Sequence, residues 1–380
     1  MSGFLHPRVA ASLVLAALVL SLRPALASSA SGGSVRVVGG QPAAAGRYPF
    51  LASLQKVGAT GAAAHFCGGS LVDETWVLTA AHCMEGQTPS QFRVVVGATR
   101  LSGTDGQERR PAEIRVDPEY DGDAAHGADV ALVRLSAPVE GITPVEPVRP
   151  EERGLWEAGD TATVVGWGVT SETAAAATDE QRAARLPIQP DAVMTAAGAY
   201  GDSFLPSDMI GAGPVEGGSD ACFGDSGGPL LVGRGSTVRQ IGIVSFGLGC
   251  GRAGHPGVYS RLGEGRVRAF ADSLVALRVA ALRVPEGSTA RFTLALARPS
   301  TLAVSVRWAT VGETATSGAD FTAGRGVTSF APGAVSVTVD VPVTADTVAE
   351  RDETFRLQLS QPVNAWLPAA SAEVTVIDGG

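Results

Sequence analysis

The sequence predicts an all-β protein built in two parts, and three observations carry that expectation. Short apolar runs separated by Gly, Pro, Asp and Ser fill residues 37–259, strict apolar/polar alternation resumes from Leu282, and all four cysteines fall before residue 251. At ~150 residues per domain, a chain of 380 residues also has room for two domains. Its 45% hydrophobic content excludes disorder as the main state, and a net charge of −9 argues against nucleic acid as a partner.

Taken in chain order, the first apolar run covers residues 9–22, 14 positions where a membrane-spanning helix needs roughly 20. His6 and Arg8 precede it and Ala25-Leu26-Ala27 follows with small residues, the pattern of a signal peptide over 1–27. Export is the consequence, without a membrane span. Residues 28–36 form a short polar propeptide. Beyond it, strands are expected at 50–54, 76–78, 92–96, 130–135, 161–165 and 240–244, arranged as a barrel or sandwich. Residues 264–277 depart from this, with Val267, Phe270, Leu274 and Leu277 at helical spacing, and are expected to close the first domain, 37–277. The Ala-rich tracts 59–64 and 174–184 carry no strand pattern and read as surface loops. Alternation at 291–296, 304–308, 335–339 and 355–359 predicts a separate Ig-like β-sandwich over 278–380.

Cys67, Cys83, Cys222 and Cys250 are an even set in an exported chain, which favours two disulfides. No Cys-x-x-Cys pair occurs, so zinc is not expected, and spacing alone leaves three pairings open.

Amide hydrolysis by a hydroxyl needs a base for its proton, a carboxylate to orient the base, and donors for the oxyanion. Ser226 lies in Gly224-Asp225-Ser226-Gly227-Gly228-Pro229, where glycines permit a tight turn whose Gly224 and Ser226 amides can converge on one oxygen. Such a six-residue string arises by chance in a chain this long with a probability on the order of 10⁻⁴. His82 stands beside Cys83 in Leu78-Thr79-Ala80-Ala81-His82-Cys83, and Asp129 opens the apolar run Val130-Ala131-Leu132-Val133. The other four histidines, His65 among them, read as surface or satisfied core residues.

At these three strings the chain resembles the trypsin-like (chymotrypsin-fold) serine endopeptidases, in the chain order His, Asp, Ser and over roughly 37–277. The resemblance implies an all-β fold of two antiparallel barrels with a C-terminal helix, and a cleft holding the catalytic residues. It makes His82 the general base, Asp129 its orienting carboxylate and Ser226 the nucleophile, with Gly224 and Ser226 as oxyanion donors. Arg36-Val37-Val38-Gly39-Gly40 resembles the family's activation site: cleavage after Arg36 would free the Val37 amino group to pair with Asp225. Asp220 resembles the acidic pocket base of members that accept Arg or Lys, with Gly247 and Gly257 leaving the walls open. Because Arg36 meets that preference, self-activation is expected. Ser245-Phe246-Gly247 resembles the edge that pairs with the substrate backbone. The family's common disulfides would join Cys67 to Cys83 and Cys222 to Cys250, while Met194 and Gly211 stand where a third is often found. Ala98 replaces the carboxylate of calcium-binding relatives, so no metal is expected in this domain, and catalysis requires no cofactor.

Residues 278–380 resemble a Calx-beta domain through Val284-Pro285-Glu286-Gly287, Ser317-Gly318-Ala319-Asp320-Phe321, Glu350-Arg351-Asp352-Glu353 and Val376-Ile377-Asp378. Calcium-binding members gather carboxylates at one end of the sandwich, a role open here to Glu286, Asp320, Asp346, Glu350, Asp352 and Asp378. A protein or matrix partner for this domain is the other expectation. The rival to an endopeptidase is a catalytically silent protease fold used for adhesion. Only Lys56 among the basic residues is a lysine, a bias that suggests a GC-rich bacterial source.

Overall fold

The computed structural model describes residues 38–378, apart from 274, 301, 348, 349 and 368. The expected signal peptide, the expected propeptide and the Arg36-Val37 junction lie outside the described residues. Two β-barrel units come first. Strands Leu51–Lys56, His65–Asp73, Trp76–Thr79, Phe92–Val96, Gln107–Arg109, Pro111–Val116 and Ala131–Leu135 form one curled seven-stranded sheet, a half-barrel. Its central strands are buried along most of their length because both faces are covered; Trp76–Thr79 is buried at every position. The second unit closes into a six-stranded barrel because Ile188 and Gln189, on strand Arg182–Gln189, pair with Ala212 and Gly211. Val165, Trp167, Leu231 and Ile243 from this barrel complete the core of the first, so the two pack on shared apolar surface.

Two sequence expectations change here. The tract 174–184 is not loop throughout, since Arg182–Gln189 alternates inward and outward along a strand with Arg182 and Ala184 buried. The expected helix over 264–277 covers only Gly265–Asp272. Val275–Val279 is a strand that pairs antiparallel with Leu294–Leu296 and parallel with Ala365–Trp366. The expected boundary at 277 therefore falls inside a sandwich strand. Leu277 extends the helical spacing by coincidence, and a period of two puts it, with Val275, into the sandwich core instead.

The C-terminal unit is a sandwich of a four-stranded and a five-stranded sheet. Phe292, Phe330, Phe355 and Val374 are buried between them, and Phe321 stacks on Phe355 with ring centroids 4.3 Å apart. This unit rests directly on the half-barrel. Trp366 meets Trp76 edge-on at 6.0 Å, and Asp272, fully buried at the helix end, binds both Arg268 of the helix and Arg298 of the sandwich. Disulfides join Cys67 to Cys83 and Cys222 to Cys250. No helix among the described residues is long and apolar enough to cross a membrane.

Candidate active site

Apolar strand ends bring a buried carboxylate to an imidazole. Asp129 precedes strand Ala131–Leu135 and is 1% exposed. Its Oδ1 accepts the His82 backbone N–H at 2.9 Å, and its Oδ2 accepts His82 Nδ1–H at 2.9 Å and the Ser245 hydroxyl at 2.5 Å. Ser260 fixes the Asp129 carbonyl with a hydrogen bond of 2.7 Å. Burial pushes the carboxyl upward, but the His82 bond and charge and the Ser245 bond outweigh it and hold the group below its ordinary range. Burial likewise pulls His82 down, and the bond to Asp129 with its charge more than compensates, leaving the imidazole above its ordinary value. An ionised Asp129 can only accept, so Nδ1 carries the proton and Nε2 presents a lone pair.

Ser226 is tied to the same place through covalent and backbone links. Its carbonyl accepts from Gly68 N at 2.7 Å; Gly68 follows Cys67, whose disulfide leads to Cys83, the neighbour of His82. The turn after it presses so closely on Thr79 and Gly68 that a side chain at Gly227, which has φ of 80°, would collide with the Thr79 hydroxyl and the Gly68 carbonyl. Gly224 also holds a positive φ of 95°, and its carbonyl accepts from His65 Nε2 at 2.8 Å. Among the described residues the Gly224 and Ser226 amides donate to no protein acceptor, which leaves both available to an oxyanion.

A cavity of about 220 Å³ opens beside Ser226, lined by Asp220, Ser245, Phe246, Gly247 and Gly257 among others. Asp220 is 2% exposed; Oδ2 accepts Gly251 N at 2.9 Å, while Oδ1 is buried with no protein partner. Burial, only partly offset by the Gly251 and Ala221 amides, pushes this carboxyl up to about 7. A Cβ at Gly257 would sit 2.5 Å from Asp220 Oδ1 and block the cavity. Phe246 packs edge-on against Tyr200 at 5.7 Å. Ser245 lines the cavity, and its hydroxyl donates to Asp129.

Asp225 is fully buried, with Oδ1 on Gly168 N at 2.8 Å and Oδ2 on Cys222 N at 3.0 Å. Burial raises its carboxyl to about 6 against those two bonds. The chain just after residue 37 docks close by: the Val38 carbonyl accepts Asp220 N at 2.9 Å, and Gly39 lies so near Ser219 that a side chain could not fit.

His65, read from sequence as a surface or satisfied core residue, is a buried histidine with both ring nitrogens bonded, whose bracing role the sequence did not indicate. Since its Nε2–H goes to the Gly224 carbonyl, its Nδ1 accepts the Ser53 hydroxyl at 2.8 Å; burial lowers its pKa to about 4, and the ring braces the turn before Ser226. A lone histidine on a strand carries no signal of this in the sequence. The histidine-and-cysteine group around Cys67, His82 and Cys83 is oxidised and offers no thiolate to a metal. In the sandwich, Asp320 and Glu350 converge with Glu353, which was not among the expected ligands, their oxygens within 4.8 Å. Asp346, Glu286 and Asp378 add their charge to Glu350, and Asp378 accepts its N–H at 3.0 Å. Asp352, expected in the cluster, lies just before strand Glu353–Val363 and pairs with Arg283 at 2.7 Å instead. Burial and the bond and charge of Asp320 push Glu353 up to about 7.

Residues 37–265 match the family model described as Trypsin, and residues 272–380 match that of the Calx-beta domain. The chain is 41% identical over 228 residues to a protein named Trypsin from Saccharopolyspora erythraea, covering 60% of this chain and 93% of that one. It is 35% identical over 262 residues to a Trypsin-like protease of Streptomyces glaucescens, covering 68% and 89%. Serine protease 56 of Mus musculus is 37% identical over 231 residues, which span 60% of this chain and 37% of the mouse protein.

Proposed function

The chain belongs to the trypsin family and is a serine-type endopeptidase, and from that premise we propose that it hydrolyses peptide bonds after Arg or Lys. The observation that carries this reading is the buried Asp220, whose Oδ1 faces the cavity without a protein partner. A guanidinium entering there gains a charge-assisted bond, whereas a neutral side chain leaves a buried carboxylate unpaired. Ser226 attacks the carbonyl while His82 Nε2 takes its proton, and Asp129 holds the imidazole by Nδ1 and stabilises the imidazolium. The Gly224 and Ser226 amides bind the oxyanion, His82 returns the proton to the leaving amine, and water then cleaves the acyl-enzyme. Asp220→Ser should cut kcat/KM for an Arg amide by ~10⁴-fold and leave an apolar amide little changed; equal losses on both would refute the pocket assignment.

We read the chain as an exported zymogen, with signal peptide 1–27, a propeptide to Arg36, and protease and sandwich domains meeting near Ser273. The disulfides suit an oxidising compartment. Docking of Val38 and Gly39 beside Asp220 supports activation, since it brings the start of the mature chain towards the buried Asp225. An ammonium arriving from Val37 would neutralise a carboxylate that burial otherwise disfavours. Self-activation is refuted by a Ser226→Ala precursor that is still trimmed after Arg36 without added protease. Calcium suits the sandwich cluster of Glu286, Asp320, Asp346, Glu350, Glu353 and Asp378, a hard-oxygen set for a cation that would relieve their mutual repulsion. Calcium titration calorimetry of the full chain against Glu350→Gln tests it, and equal heats from both would reject the site.

A further inference from the structure

The far side of the specificity pocket carries a contact that the proposed chemistry does not use. Glu172 lies in the segment joining the two long strands that begin the closed barrel, 78 residues before the pocket wall. Its Oε1 accepts the Cys250 backbone N–H at 2.5 Å and Arg252 Nε at 2.8 Å, and its Oε2 accepts Arg252 Nη2 at 2.8 Å. The next amide along, Gly251 N, donates to Asp220 Oδ2 at 2.9 Å. Two successive amides of one wall are thus taken by two carboxylates, one at the pocket floor and one outside. Gly249, at φ of 81°, makes the approach feasible, because a side chain there would collide with both the Glu172 carboxylate and the Arg252 guanidinium.

We propose that Glu172 is a positioning residue for the specificity pocket, holding the wall at Cys250 and Arg252 so that Asp220 meets a cationic side chain in a fixed cavity. The inference rests on the reading of Asp220 as the pocket base. Arg252 is 61% exposed in its side chain and Glu172 30%, so as a salt bridge the pair adds little stability. Its effect lies in geometry. The wall is also held by the Cys222–Cys250 disulfide, by Gly218 N donating to the Gly251 carbonyl at 2.8 Å, and by Asp220, whose charge is needed for the substrate; among the described residues, the Glu172 side chain alone joins Cys250 N to Arg252. The same segment begins at Gly168, whose amide donates to Asp225. Three residues then separate the activation carboxylate's partner from the clamp on the wall, so ordering around Asp225 is passed to the pocket through one short stretch of chain.

The test uses the activated full chain with an Arg amide substrate. Glu172→Ala should raise KM about tenfold with kcat within about twofold, as expected when a binding wall loosens and the reacting groups do not. Glu172→Gln keeps an acceptor for the Cys250 N–H and should recover most of the loss, a rescue that general destabilisation would not produce. An unchanged KM in Glu172→Ala, or a fall in kcat and in phosphonate labelling of Ser226 equal to the rise in KM, overturns the proposal. Asp220→Ser separates the two readings: if it leaves the Arg preference intact, the pocket assignment itself fails. If it abolishes that preference while Glu172→Ala has no effect, only the clamp is wrong.

Discussion

Asp129 and Asp220 are both nearly sealed from water, yet they titrate in opposite directions. Three donors replace solvent around Asp129, so it stays ionised. Asp220 has a free Oδ1 and rises to about 7. An acid raised in this way binds its proton more tightly folded than unfolded, so the empty pocket costs stability as pH climbs from 3.8 through about 7. A bound cation reverses that cost. Activity responds with the same sign: rising pH ionises Asp220 and neutralises His82, whose pKa lies above 6.5. On acidification, kcat/KM for an Arg substrate should therefore fall with a slope approaching two protons, against one for an apolar substrate that needs only neutral His82. Superimposable profiles for the two substrates would contradict the assignment of Asp220.

The short helix Asp191–Met194 and the strand Met209–Ala212 meet where relatives often carry a third disulfide. Here Met194 is fully buried, and its thioether lies over Gly211 so closely that a Cβ would overlap it. A flexible apolar side chain and a glycine thus fill by packing the space that a covalent bridge fills elsewhere. Met194→Ala should cost about 2–5 kcal/mol by leaving a cavity, and Gly211→Ala about 1–3 kcal/mol by overpacking. Combined, they should cost less than their sum, because the added methyl enters the vacated space. Urea denaturation of the four proteins measures the coupling, and strict additivity would show that the two residues do not share the site.

At the scale of the molecule, the sandwich is seated on the half-barrel. Trp366 packs on Trp76 at the edge of the barrel core, Arg278 faces Glu74 at 3.7 Å, and Arg298 reaches Asp272 at the helix end. The exposed Arg278 pair adds little, while the aromatic contact and the buried carboxylate carry the joint. Trp366→Ala should therefore lower the stability of the protease portion by about 1–3 kcal/mol. Followed by inhibitor-protected proteolysis and by denaturation, an effect confined to the sandwich would show that the two units are energetically separate.

Much of this protein was legible before any fold was known. His82, Asp129 and Ser226 sit in short strings whose glycines and apolar runs dictate local turns and strands, and local geometry is what a sequence encodes most directly. The even set of cysteines likewise announced two bridges, although composition left their pairing open. What tertiary structure alone decided is every property that depends on who arrives from far along the chain. His65 becomes a brace because Gly224 reaches it across 159 residues, and Ser245 serves Asp129 from 116 residues away. Asp352 leaves the acidic cluster for Arg283, and Glu353 joins it beside Asp320, because partners distant in the chain stand on either side of the strand's start. The end of the helix moved for a related reason: Leu277 fits the helical spacing and also, with Val275, a period of two, and only the presence of a sandwich core to receive the pair chooses between a helix and a strand.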